Sequence, residues 1–152
     1  MPIKRLSLAA IFMAAALPAS SQEVIGCDWQ SRADNLVEPW EDNTRTFANG
    51  EIRVALLDTV EPAAAPFYLL VISPPRDELG LWQCRVVAAP GGMGFYAIEF
   101  DMMDPFYDPA KGLQLQMPAA VYDGEVPRAQ VLTVTINQAS GNIDVEMVLD
   151  PE

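Results

Sequence analysis

The chain has 152 residues, of which 21 are acidic and 9 are lysine or arginine; it has no histidine and a net charge of −12. A field of that sign repels nucleic acid and anionic lipid surfaces. The missing imidazole removes every catalytic triad, proton shuttle and zinc site that depends on one.

The first 21 residues read as a secretory signal peptide. Lys4 and Arg5 form a positive n-region, Leu6 to Leu17 an apolar h-region, and Ala19-Ser20-Ser21 a small-residue cleavage site. Cleavage there leaves residues 22–152 as a single exported β domain, periplasmic or secreted. Losing Lys4 and Arg5 lowers the basic count from 9 to 7 against 21 acids, a net charge of −14. No later apolar run approaches the roughly 20 residues of a membrane span. Cys27 and Cys84, 57 positions apart, are the only thiols and in an exported chain are expected to form one disulfide. Val24-Ile25-Gly26-Cys27 resembles the lipobox of bacterial lipoproteins, in which Cys27 would carry a lipid anchor. The polar run Ser20-Ser21-Gln22-Glu23 separates it from the apolar segment and argues against that reading.

Ser31 to Trp40 predicts a helical turn capped by Ser31 and ended by Pro39. From about Arg45 the pattern is short β-rich runs broken by turn residues, with no repeat or heptad. Thr44 to Phe47 and Ile52 to Thr59 flank Asn49-Gly50, a hairpin signal because both residues tolerate positive φ. Phe67 to Ser73, Leu81 to Ala88, Phe95 to Met102 and Leu113 to Met117 follow. A last hairpin joins Gln130 to Ile136 with Ile143 to Leu149 around Ser140-Gly141-Asn142. The prolines are expected in the gaps, because proline cannot donate to a ladder. The pattern specifies an all-β fold: a small antiparallel β-sandwich or partly open barrel of about eight strands with one disulfide.

Alternation sets two registers. In the last hairpin Leu132, Val134 and Ile136 face inward with Met147, Val145 and Ile143, leaving Thr133 opposite Glu146 and Thr135 opposite Asp144. In the other, Trp82, Cys84, Val86 and Ala88 face the core opposite Met102, Phe100, Ile98 and Tyr96, with Arg85 across from Glu99 and Gln83 across from Asp101. A disulfide on Trp82 resembles the immunoglobulin-type core, though order and spacing differ from that family.

Only carboxylates remain for chemistry. Glu99 and Asp101, at i and i+2 of one strand, offer the minimal pair for a hydrolase, although Arg85 and Gln83 opposite make a cross-strand ladder the simpler reading. Asp101, Asp104 and Asp108 in Asp101-Met-Met-Asp-Pro-Phe-Tyr-Asp-Pro are candidate calcium ligands, without the spacing of an EF-hand. Met102, Met103, Phe106 and Tyr107 give the same segment the composition of a protein-binding patch inside a charged rim. Tyr122, with Asp123, Gly124 and Glu125, repeats that theme. Pro105 to Gly112 and Pro118 to Arg128 are expected as long loops. Sugar binding has only Trp29 and Trp40 to draw on, with Trp82 expected inside. No cofactor is implied. The function indicated is non-catalytic: an exported protein that binds another envelope or secreted protein through its loops or edge strands.

Overall fold

The computed structural model describes residues 23–149, and the signal peptide expected over residues 1–21 lies outside them. Ten strands run in chain order as β1 (Glu23–Gly26), β2 (Thr44–Phe47), β3 (Ile52–Asp58), β4 (Phe67–Arg76), β5 (Trp82–Ala88), β6 (Ala97–Ile98), β7 (Asp104–Asp108), β8 (Gly112–Tyr122), β9 (Pro127–Ile136) and β10 (Ile143–Leu149). They form two antiparallel five-stranded sheets. The first has the order β1-β5-β4-β3-β2; the second has β10-β9-β8-β6, with β7 beside β6 on the same side of β8. Both sheets keep free edges, so the architecture is a sandwich and not a closed barrel.

Both hairpin signals are realised. Phe47 pairs with Ile52 across a turn in which Asn49 has φ 55° and Gly50 φ 85°. The β9–β10 register is Leu132 to Met147, Val134 to Val145 and Ile136 to Ile143, with Thr133 opposite Glu146 and Thr135 opposite Asp144. Ile52, Val54 and Leu56 of β3, Leu69 and Val71 of β4, and Val87 of β5 fill the interior against Leu115, Met117, Leu132, Val134 and Ile136 of the facing sheet.

The β5 register departs from expectation. β5 pairs with β4 and β1, whereas β6 joins β8 in the other sheet. Val87 faces the main core, and Gln83 and Arg85 share its side of the sheet, where the Gln83 amide donates to the Gly141 carbonyl at 2.8 Å. Cys84, Val86 and Ala88 point to the opposite face of the first sheet. There Leu57, Tyr68, Val86 and Ala88 form a second buried cluster with Ile25, Cys27, Leu36 and Leu70. Apolar residues on both faces of Val54-Ala55-Leu56-Leu57 and Val86-Val87-Ala88 erase the alternation that would distinguish in from out.

The chain after Cys27 covers that second cluster. Its helical segment is two short 3-10 turns, Trp29–Ser31 and Ala33–Asn35, and the Ser31 hydroxyl donates back to the Asp28 carbonyl at 2.8 Å, so it caps no helix start. Trp29 meets Tyr68 edge-on at 6.3 Å, and burial pushes the Tyr68 phenol up. The Cys27–Cys84 disulfide, with Cα atoms 5.5 Å apart, ties this cover to β5. Trp82 is half-buried and carries the Arg76 guanidinium 3.6 Å above its ring.

Not all prolines sit in gaps. Pro74 and Pro75 lie within β4 where its register on β5 shifts between Ser73 and Arg76, a bulge that asks no N–H of them. Pro105 stands in edge strand β7. Pro118 lies in β8, accepting from the Glu99 N–H at 2.9 Å.

Candidate functional site

The two long loops expected around the candidate residues are mostly strand. Asp104–Asp108 is β7, paired with β8 from Asp104 opposite Gln116 to Asp108 opposite Gly112, and Pro118 to Tyr122 is the second half of β8. The hydrophobic pattern misses both because proline interrupts each run.

β7 forms an outer edge of the second sheet, entered from a 3-10 turn at Phe100–Met102. Met102, Phe106 and Tyr107 are 60%, 46% and 64% exposed, whereas Met103 turns inward and packs on the main core. Phe106 lies directly opposite Gln114, so both rise from the outer face of the sheet. Tyr122 shares that face but stands eight residues farther along β8, about 26 Å away at strand rise. It stacks on Tyr96 at 6.4 Å between ring centres. Phe106 and the Tyr96–Tyr122 pair therefore occupy opposite ends of one face, whereas Tyr107, opposite the core residue Leu113, lies on the other side of the β7 edge.

The carboxylates separate as well. Glu99 precedes the 3-10 turn and Asp101 lies inside it, so they are not i and i+2 of a strand, and neither faces β5. Asp104 and Asp108 end β7 about 13 Å apart, too far to share an ion whose ligands must come within about 2.6 Å. Asp108 accepts the backbone N–H groups of Ala110 and Lys111 at 2.7 and 3.3 Å, ordinary turn chemistry. Among the described residues no three acidic or thiol side chains converge for a metal. Cys27 follows an ordered β1 and commits its sulfur to Cys84, which leaves no thiol for a lipid.

Asp123, in the turn between β8 and β9, accepts the Val126 and Glu125 backbone N–H groups at 2.8 and 2.9 Å and the Arg128 guanidinium at 2.6 Å. These bonds, the Val126 N–H foremost, lower its carboxyl to about 2. The group pins a turn.

The outer face of the second sheet is organised in ranks. Phe106, Gln114, Thr135 and Asp144 follow one another across four strands, and beside them run Asp104, Gln116, Thr133 and Glu146. Farther along come Pro118, Val131 and Val148, then Ala97, Ala120 and Ala129. Polar chemistry occupies one half and apolar chemistry the other. Gln114 donates to Thr135 at 3.1 Å and Gln116 to Thr133 at 3.3 Å. A cleft of about 490 Å³ opens over the polar half, walled by Lys111, Asn142, Asp144 and Glu146. Sequence reading misses this cleft because it weighs no role for Gln114 or Gln116, although their alternation with Leu113, Leu115 and Met117 already puts both on the outer face, where Gln114 is buried and Gln116 exposed.

Compared with models of known families, with curated proteins and with solved structures, the chain matches none.

Proposed function

We propose that this is a non-catalytic, exported protein that binds another envelope or secreted protein through β7 and the face beside it. One observation carries the reading. Met102, Phe106 and Tyr107 are all exposed along one sheet edge, Phe106 on the open outer face and Tyr107 on the other side of β7, while the corresponding outer face of the other sheet lies under the chain after Cys27. Aromatic and methionine anchors rimmed by Asp101, Asp104 and Asp108 have the chemistry of an interface core within a charged margin. Export is supported by the signal-like first 21 residues and by a disulfide, a bond that persists in oxidising compartments.

The test is affinity capture on the immobilised, disulfide-bonded protein from a native envelope extract, alongside a Phe106→Ala, Tyr107→Ala double variant. Both side chains are exposed, so each change shifts stability by less than about 0.5 kcal/mol. Loss of at least about tenfold in retained partner is the expected result, since interface aromatics dominate binding energy. Equal retention by both proteins refutes the site.

A further inference from the structure

The polar half of the second sheet's outer face has a chemistry of its own. Gln114 spends its amide nitrogen on the Thr135 oxygen at 3.1 Å, which leaves the Gln114 amide oxygen to accept and the Thr135 hydroxyl to donate. Asn142 spends its amide nitrogen on Oδ2 of Asp144 at 2.7 Å, which leaves Oδ1 of Asp144 to accept. Lys111, from the turn between β7 and β8, adds a donor on the same cleft, and Glu146 a further acceptor. The cleft thus offers donors and acceptors alternately, in positions fixed by strands and by internal hydrogen bonds, which is the preorganisation a binding site needs. Its volume of about 490 Å³ lies in the range of small-ligand sites.

We infer that the cleft binds a neutral saccharide. Each sugar hydroxyl both donates and accepts, so a vicinal pair is satisfied by groups of both kinds set side by side. Charge selects against other ligands. Asp144 and Glu146 on the cleft, and the acid excess of the whole chain, disfavour a carboxylate or phosphate, while a neutral ring meets no such repulsion. The inference does not depend on the protein-binding reading, because its donors and acceptors stand on β8 to β10 and in the turn ahead of β8.

Calorimetric titration of the disulfide-bonded protein with maltotriose, cellotriose and chitotriose tests it. At least one trisaccharide is expected to bind with a Kd below about 1 mM. Thr135→Val and Asp144→Ala are each expected to weaken it at least about tenfold, by removing one hydrogen-bonding group from an exposed strand face. Urea unfolding of each variant identifies any change that acts through folding. Saturable binding that both folded variants weaken supports the site; added retention on insoluble cellulose or chitin marks a polymeric glycan, and binding in solution alone a free oligosaccharide. No saturable heat up to about 10 mM of any of the three sugars overturns the inference, as does binding left undiminished in both variants. Protein capture is expected to survive Thr135→Val, so either reading can fail alone.

Discussion

Replacing both cysteines, Cys27→Ala with Cys84→Ala, removes a cross-link that closes a 57-residue loop and ties the cover over the second cluster to β5. The chain-entropy relation gives about 14 cal/mol/K for a loop of that length, or about 4 kcal/mol at 25 °C. For a domain of about 130 residues, with an unfolding entropy near 0.27 kcal/mol/K at the midpoint, that corresponds to a fall in Tm of about 15 °C. Cys27 also packs beside Leu57, Tyr68 and Val86, so the lost sulfur contact adds to the loss. Paired urea melts and calorimetric scans of the oxidised protein and the double variant measure it. A Tm difference under about 5 °C, with the urea slope unchanged, refutes the claim that the bridge restrains a long unfolded loop.

Leu115 is fully buried between the sheets and Leu79 is 85% exposed, so Leu115→Ala is expected to cost about 2–5 kcal/mol in urea unfolding and Leu79→Ala under about 0.5; equal costs would contradict the core assignment. Gly94→Ala places its Cβ against the Ala65 carbonyl, a backbone clash expected to destabilise by about 1–3 kcal/mol in the same assay, and a neutral result would show that the segment gives way. The Asp123 carboxyl lies below its ordinary value of 3.8, at about 2 in the folded protein. Its stabilising contribution is therefore full above about pH 4 and lost as pH falls through about 2. Carboxyl carbon NMR is expected to show an Asp123 midpoint near 2, and a midpoint near 3.8 would contradict the turn geometry.

The parts of the fold that the sequence made legible are those where one face is buried and the other wet. In β9 and β10, Leu132, Val134 and Ile136 alternate with Thr133 and Thr135, and the register follows residue for residue. In β5 it is Val87, and not Val86, that faces the main core. The first sheet is covered on both faces, so Val86 and Val87 are both fully buried and alternation carries no information there. The expected count of about eight strands rose to ten because β1 hides in the lipobox-like segment and β7 begins Asp104-Pro105, a pair that reads as a turn. Of the candidate site, Met102, Phe106 and Tyr107 were legible as an unusual apolar cluster among aspartates, but not as an edge strand. Met103 was lost to the core because its direction depends on the 3-10 turn that precedes it. Glu99 and Asp101 depended on a strand that the structure ends at Ile98.

The central claim is that β7 presents a protein-binding surface, and site-specific cross-linking tests it most directly. A photo-reactive benzoylphenylalanine placed at Tyr107 in producing cells, with Glu61 in an exposed turn of the other sheet as the control position, reads the contact in place. The account predicts a discrete adduct of one mass from position 107 and none from position 61. No adduct from position 107, or the same adduct from both positions, would contradict it.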